Sequence, residues 1–364
     1  MAYKEIYDEL KAKMTDDKAA NETMLRKEVE RFIKEENREG IDAAGALIME
    51  NMPEEKRNEI IRITHIDGER MDNIYKKVDE YLNAKNINEA KKLAEKLYKK
   101  ITVEFKEGEK AKFVSLRNPF EDELYQFLYK PEKTLNRTPF DFCQYISTYA
   151  YILVETGDPL TAIPVLEQAQ EFNPVDVGPK FEMAEIYKLI HNKARLIEVS
   201  RETMKVASSP VAIARIYANV GYILTEFGEY EDALAFYTAS AMMAPSPVIP
   251  REMQHLADLK GSPVTYIGKD KVKEILEDKY DIHFGPDPDV IRVASELAAV
   301  FIKNQDLPNA LQALKLTYNL TLDENIKKMI FKYDPTAAMQ FAEEEKRINE
   351  IKKKNQAENN NANE

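Results

Sequence analysis

The sequence predicts an all-α chain, an α-solenoid built from repeated helical hairpins. Apolar residues recur at helical spacing through most of its 364 residues. Only 11 glycines are present, which argues against glycine-rich phosphate loops and against many tight β-turns. Between residues 140 and 250 the helical pattern also becomes periodic. A chain of this length therefore holds either several domains or an array of repeats.

Charge patterning argues against nucleic-acid partners. The formal net charge is -12, and a chain this acidic repels phosphate backbones unless its basic residues are segregated into a patch. The clearest basic runs, over residues 91–100 and 346–354, are interleaved with acids or lie in a tail, which is typical of solvated helix faces. No nucleic-acid partner is therefore predicted.

Cysteine content and hydropathy favour a cytoplasmic protein. Cys143 is the only cysteine, so no intramolecular disulfide can form, which fits a reducing compartment. Residues 1–14 are charged and lack an apolar core, so no signal peptide is predicted. The longest apolar stretch, residues 290–302, contains Arg292 and Glu296 and is too short to span a bilayer. No membrane association is predicted.

Residues 1–64 are expected to form an N-terminal helical region. The apolar spacing predicts amphipathic helices over residues 2–14, 21–36, 41–51 and 53–64. Pro53 fits the last of these because the first turn of a helix tolerates proline.

Residues 65–139 are expected to hold a degenerate helical hairpin followed by an insertion. The hairpin is predicted over residues 70–83 and 87–100. Apolar and polar residues alternate on both sides of Glu107-Gly-Glu-Lys, which predicts a short β-hairpin near 101–116. The proline-containing residues 117–139 are interpreted as a loop carrying one helix, Glu121 to Tyr129.

Residues 251–352 are expected to form a C-terminal helical region with a degenerate repeat. Breaks occur within residues 259–288, and helices are predicted over residues 269–280, 289–303, 307–320, 323–332 and 335–352. The last residues, 353–364, are asparagine-rich and nearly free of apolar side chains, so a disordered tail is predicted.

A set of small and turn-forming residues recurs across residues 140–250. Counted from Cys143 as position 1, positions 8, 15, 20 and 32 hold Ala150, Gly157, Ala162 and Pro174. Counted from Ala214, the same positions hold Gly221, Gly228, Ala233 and Pro245. Small residues let two antiparallel helices approach closely, and the glycine turns the chain between them. The pattern closely resembles the tetratricopeptide repeat, a unit of about 34 residues, and this resemblance implies stacked helical hairpins.

Weaker copies extend the pattern beyond these two repeats. Residues 177–213 keep Ala184 and Tyr187 but carry His191 where the turn glycine belongs. Residues 291–322 match at their small positions without the glycine and the proline, and residues 71–100 match more weakly still.

In this family the first helix of each repeat lines a concave groove. The groove positions map onto Gln144, Ser147, Thr148, Tyr151 and Val154, then Gly178, Phe181, Glu182, Glu185 and Lys188, then Arg215, Ala218, Asn219, Tyr222 and Thr225. From this set the resemblance implies a ligand-binding groove formed by Ser147, Tyr151, Glu185, Lys188, Arg215, Asn219 and Tyr222. Exposed tyrosines beside Arg and Asn suit binding, since they offer rigid apolar area with a polar tip. The alternative is that Tyr151 and Tyr222 pack on an adjacent helix.

The form of this groove that grips a C-terminal carboxylate is not predicted. That form uses lysine, arginine and asparagine at positions that here hold Ser147, Tyr151, Glu182, Arg215 and Asn219. Only Arg215 keeps the positive charge, and Glu182 would repel a carboxylate.

No catalytic residue, cofactor or metal site is predicted. Phosphate-loop, nucleophile-elbow and cysteine-pair motifs are missing from the sequence. His65 lies near Asp67 and Glu69, which we interpret as a polar helix end, and His283 lies in a proline-rich loop. Cys143 sits in an apolar helical stretch and is interpreted as a buried core thiol.

The sequence therefore favours a non-enzymatic scaffold or adaptor that binds a protein or peptide segment in the groove. The alternative is a regulatory receptor of the same repeat type that senses a short peptide. An enzyme assembled from scattered carboxylates has no support in the sequence. Formation of a homo-oligomer through a capping face is left open.

Overall fold

The computed structural model describes residues 3–339, 341–343, 346–347 and 350. The chain divides into two compact units, Met1–Lys77 and Val78–Glu364. The predicted helix over 335–352 falls partly outside the described residues, and the predicted disordered tail over 353–364 falls wholly outside them. Within the described ranges, no helix combines the length and apolar character needed to cross a membrane.

The first unit is helical, and its first three helices form a small bundle. It contains α1 (Tyr3–Ala12), α2 (Lys18–Lys34), α3 (Arg38–Asn51) and α4 (Glu54–Thr64), which confirms the helices predicted there. Helices α2 and α3 form a hairpin, and α1 packs against α3 around Leu10, Leu25 and Leu47. Gly40 permits the close approach of α2 and α3, because a Cβ atom there would lie 2.4 Å from the Phe32 ring.

A tight β-turn follows α4. Strands β1 (His65–Ile66) and β2 (Glu69–Arg70) pair antiparallel across Asp67 and Gly68. Both turn residues have positive φ angles, 50° and 82°, as a primed two-residue hairpin requires. The interpretation of residues 65–69 as a polar helix end was therefore wrong, because Asp-Gly is a strong turn signal.

The second unit is built mainly from helical hairpins. The chain first forms α5 (Met71–Asn83), which crosses the boundary between the units, α6 (Ile87–Glu104), β3 (Ala111–Val114), α7 (Pro119–Tyr129) and β4 (Thr134–Arg137). The repeat region follows as α8 (Phe142–Glu155), α9 (Pro159–Phe172), α10 (Val177–Leu189), α11 (Lys193–Met204), α12 (Pro210–Glu226), α13 (Tyr230–Met243) and α14 (Val248–Lys260). The chain then forms α15 (Lys269–Lys273), a π-helical turn (Glu274–Lys279), α16 (Pro288–Lys303), α17 (Leu307–Thr321) and α18 (Glu324–Tyr333).

The hairpins of the repeat region stack in chain order. Helices α8 and α9, α10 and α11, and α12 and α13 pair within hairpins, and each second helix packs on the first helix of the next hairpin. The first helices α8, α10, α12 and α14 also contact one another in succession. This arrangement confirms the predicted all-α fold of repeated helical hairpins.

Six turns between consecutive helices of the described chain share one geometry. In each, the second residue after the first helix takes a left-handed conformation with φ between 52° and 84°: Glu36, Lys85, Gly157, His191, Gly228 and Gln305. The next residue's N–H donates to the carbonyl oxygen five residues back, over 2.8–2.9 Å. These bonds satisfy carbonyl groups that a helix end would otherwise leave unpaired. Only two of the six turns use glycine.

The small residues of the repeat pattern lie where helices cross. Ala150, Ala162 and Ala233 are each 0 % exposed. A Cβ atom at Gly221 would lie 2.8 Å from the ring of Tyr237, a side chain on the partner helix α13. The absence of a side chain at position 221 therefore sets how closely α12 and α13 approach.

The β-hairpin predicted near 101–116 does not form. Ile101 to Glu104 continue α6, and the strand at Ala111–Val114 pairs in parallel with β4, which lies much later in the chain. Helix α6 buries Ala90, Ala94, Leu97 and Ile101 on one face, and this helical stripe outweighs the alternation that suggested a strand. The helix predicted within residues 117–139 is confirmed as α7.

The segment after α14 packs back against the repeats. Helix α15 and the π-helical turn contact α13, and the Tyr280 hydroxyl donates to Asp232 Oδ2 over 2.6 Å. The Tyr217 hydroxyl on α12 donates to the His283 carbonyl over 2.6 Å and accepts from the Gly285 N–H over 2.8 Å. Helix α16 then packs against α7, so an element that follows the repeat region contacts one that precedes it.

Candidate functional site

The exposed faces of α8, α10 and α12 form the surface that we call the groove. These helices are the first helices of three successive hairpins, and they contact each other in order. Their second helices cover the opposite side. Side chains that point away from those second helices therefore share one side of the helical stack.

A cleft with a volume of about 500 Å³ opens at one end of the groove. Its walls include Gln144, Ser147, Thr148 and Tyr151 of α8 and Gly178 and Glu182 of α10, all positions mapped from the sequence. Tyr151 is 43 % exposed and is available for contact. Ser147 and Thr148 instead donate their hydroxyls to backbone carbonyls one turn back, over 2.7 and 3.0 Å.

Carboxylates dominate the charge of this cleft. Asp79, Asp141, Asp176 and Glu182 line it, and Arg117 is the one basic side chain among the lining residues. Arg117 Nη1 lies 3.1 Å from Asp176 Oδ2, and Nη2 lies 2.6 Å from Glu121 Oε1. Its single charge is thus shared between two carboxylates.

The surroundings of the other three carboxyl groups disfavour their charged forms. Burial raises the pKa of Asp79, and burial likewise raises the pKa of Glu182 against the opposing effect of Arg215. Burial also raises the pKa of Asp141, although its side chain caps α8 by accepting from the Gln144 N–H over 3.0 Å. Loss of water around each carboxylate is the leading cause in all three cases.

A paired cluster of charges occupies the groove between α10 and α12. Glu185 Oε2 lies 2.8 Å from Lys188 Nζ, and Glu185 Oε1 lies 3.3 Å from Arg215 Nη2. The Arg215 guanidinium lies 4.4 Å from the Phe181 ring centroid, and Lys188 Nζ lies 5.4 Å from that of Tyr222. Four of the predicted residues therefore meet in one cation–aromatic cluster.

Three mapped residues contribute little exposed surface. Asn219 is 5 % exposed and Thr225 is 1 % exposed, and Thr225 donates its hydroxyl to the Gly221 carbonyl over 2.9 Å. Phe181 is also buried and lies beneath the Arg215 guanidinium. The accessible part of the groove is consequently smaller than the family positions suggest.

Sequence reasoning missed several residues that line the cleft. Asp79 and Leu82 come from α5, whose match to the repeat is weak. Asp141 and Asp176 come from the links that precede α8 and α10, where both serve as N-caps. A signal for them was present, since Asp immediately before an apolar helical run is a helix-start pattern. Nothing in the local sequence indicates that Arg117 reaches the same place.

Other side chains that could react or bind a metal have structural roles. Cys143 is buried, and burial raises the pKa of its thiol, so a reactive thiolate is disfavoured. His65 Nδ1 lies 2.8 Å from the Thr64 hydroxyl, and His283 Nδ1 lies 3.2 Å from Glu277 Oε1. Among the described residues, no group of three or more His, Cys, Asp or Glu side chains is placed to hold a metal ion.

Comparison with known families identifies one repeat. Residues 214–247 match the family model of the tetratricopeptide repeat. This match begins at Ala214, the residue from which the second sequence pattern was counted, and it covers most of α12 and all of α13. The resemblance inferred from the sequence is thus confirmed. No curated protein matches the chain.

Proposed function

We propose that this chain, which carries a tetratricopeptide repeat over residues 214–247 within a stack of similar hairpins, is a non-enzymatic adaptor. It binds a protein or peptide segment in the groove formed by α8, α10 and α12. Such repeats generally mediate protein interactions, and the proposal adds that this groove is the binding surface here. The same proposal places the protein in the cytoplasm, in line with its single cysteine.

The observation that carries this proposal is the composition of the groove surface. Tyr151 is exposed within a cleft, and Tyr222 lies beside Lys188 in the paired cluster. Aromatic side chains and arginine are the residues most often responsible for binding energy at protein interfaces. Tyr151, Arg215 and Tyr222 therefore form the expected contact set for a bound segment.

The experiment is affinity capture of partners with the native chain and with a variant carrying Tyr151→Ala, Arg215→Ala and Tyr222→Ala. A matched control carries Leu160→Ala, Arg195→Ala and Met242→Ala, three exposed residues on the second helices α9, α11 and α13. Circular dichroism and melting temperature confirm that both variants fold.

A partner that is held by the native chain and the control, and lost by the groove variant, supports the proposal. Loss of one interaction anchor typically costs about 2 kcal/mol or more, so losing three should remove detectable binding of a micromolar partner. Equal capture by all three proteins would place the interaction outside the groove and would contradict the proposal.

A further inference from the structure

The cleft at the α8–α10 end of the groove is negatively charged, because four carboxylates and only one basic side chain line it. Among the described residues, no ion pair or hydrogen bond from a cation reaches Asp79, Asp141 or Glu182. The nearby cations are already engaged, Arg117 by Glu121 and Asp176, and Arg215 by Glu185. Three half-buried carboxylates therefore face a cleft whose one lining cation, Arg117, is already ion-paired with Glu121 and Asp176.

Lys180 does not supply the missing charge. Its ammonium group is buried and donates to Gln170 Oε1 over 2.8 Å and to the Pro174 carbonyl over 2.7 Å. Neither of these acceptors lines the cleft. Lys180 therefore does not offset the charge of Asp79, Asp141 and Glu182.

We propose that the cleft between α5, α8 and α10 receives a lysine or arginine side chain of the bound segment, so that the partner is a basic peptide. This inference rests on the groove function proposed above and names the chemistry of its partner. An incoming ammonium or guanidinium group would enter a cleft lined by these carboxylates in a partly dehydrated site, where charge interactions are stronger than in water. The exposed ring of Tyr151 offers it an aromatic surface as well.

The geometry argues against other occupants. An acidic segment or a C-terminal carboxylate would meet like charges, and an apolar segment would bury carboxylates without pairing them. A metal ion needs ligands that converge, and the described residues hold no such group of three. A volume of about 500 Å³ suits a long flexible cation better than a bare ion.

The test is fluorescence anisotropy of the full chain with three labelled eight-residue peptides, which alternate alanine with lysine, glutamine or glutamate. The lysine peptide is expected to bind about tenfold tighter than the glutamine peptide, and the glutamate peptide weakest. A cleft variant carries Asp79→Asn, Asp141→Asn and Glu182→Gln, in which asparagine keeps the N-cap at position 141. This variant is expected to lose about tenfold in affinity for the lysine peptide.

A charge-matched control separates the cleft from the overall acidity of the chain. It carries Glu167→Gln, Glu171→Gln and Glu198→Gln, three exposed acids on α9 and α11. Binding of the lysine peptide to the control is expected to stay within about twofold of the native value. An equal loss in the control, or no preference for lysine over glutamine in the native chain, would overturn the inference.

Failure of this inference can be told apart from failure of the groove function. If the Tyr151, Arg215 and Tyr222 variant loses its captured partner while the lysine peptide shows no preference, the groove binds a partner of different chemistry. If neither experiment shows groove-dependent binding, both proposals are wrong.

Discussion

At the scale of single residues, Lys180 is unusual because it is a lysine buried in the core of the repeats. It is 4 % exposed, and its ammonium group is held by two neutral oxygen acceptors rather than by a carboxylate. Burial lowers the pKa of Lys180 from 10.5 to about 8. The charged form is therefore less stable in the folded chain than in the unfolded chain.

This shift predicts stability that rises with pH. Between pH 8 and pH 10.5 the unfolded state binds the Lys180 proton and the folded state has released it, so the free energy of unfolding increases with pH. The difference of about 2.5 units corresponds to a gain on the order of 3 kcal/mol. Lys180→Met should abolish this rise, because methionine keeps much of the volume without a titrating group.

Urea denaturation of the native chain and the variant between pH 7 and pH 10.5 checks this outcome. The exposed lysine Lys92 on α6 provides a control, and the curve for Lys92→Met should run parallel to that of the native chain. If the free energy of unfolding changed with pH in the same way for the native chain and for Lys180→Met, Lys180 would titrate alike in the folded and unfolded states. That result would contradict the prediction.

At the scale of elements, the turn between helices explains how degenerate repeats keep the hairpin fold. His191 and Gln305 adopt the same left-handed conformation as Gly157 and Gly228, and their turns make the same backbone hydrogen bond. A side chain raises the energy of this conformation by about 1 kcal/mol. The hairpin therefore survives loss of glycine, because the cost is small compared with the packing of the two helices.

The turn geometry leads to a pair of opposite predictions. Gly228→Ala should lower the free energy of unfolding by about 1 kcal/mol, because φ at this position is 75° and alanine is strained there. The loss should be no larger, because no atom lies near enough to clash with the added Cβ. His191→Gly should raise it by about 0.5 kcal/mol, since glycine relieves the strain but gains more entropy on unfolding.

Urea denaturation with native-state hydrogen exchange measures both changes and locates them to α12–α13 and α10–α11. Gly45→Ala serves as the control, because Gly45 lies inside α3 with open space around it, and alanine favours a helix interior by about 1 kcal/mol. A stabilising effect of Gly228→Ala would show that the left-handed conformation imposes no strain there.

The elements also show where sequence reasoning succeeds and where it stops. The helices and repeat hairpins were predictable because apolar spacing and small crossing residues are local signals. Residues 101–106 were misjudged because Ile101 and Phe105 satisfy both an alternating and a helical pattern. The pairing of β3 with β4 could not be predicted, because parallel strands separated by a helix carry no local signal of their register.

At the scale of the whole molecule, the same limit applies to the candidate site. The groove residues on α8, α10 and α12 follow from the repeat register, so Tyr151, Arg215 and Tyr222 could be named from the sequence. The charge of the cleft could not, because Asp79, Arg117 and Asp176 come from α5 and from links between helices. Their meeting depends on tertiary packing.

Contacts between distant segments also distinguish the second unit from a simple linear array. In such an array each repeat contacts only its neighbours, so a local perturbation fades along the chain. Here α16 packs against α7, and the Arg292 guanidinium lies 4.3 Å from the Phe127 ring centroid. The two helices should therefore open together, although more than a hundred residues separate them in sequence.

Phe127→Ala tests this coupling. Removal of the ring deletes both apolar area and the cation–aromatic contact, with an expected loss of about 1–2 kcal/mol. Hydrogen exchange should then accelerate in α7 and in α16, while α9 and α10 keep their native rates. The control Leu160→Ala removes a side chain that is 63 % exposed on α9 and should leave α16 unchanged. If exchange after Phe127→Ala rises only in α7 and its neighbours in sequence, α7 and α16 unfold independently, and the effect of a substitution passes only from one hairpin to the next.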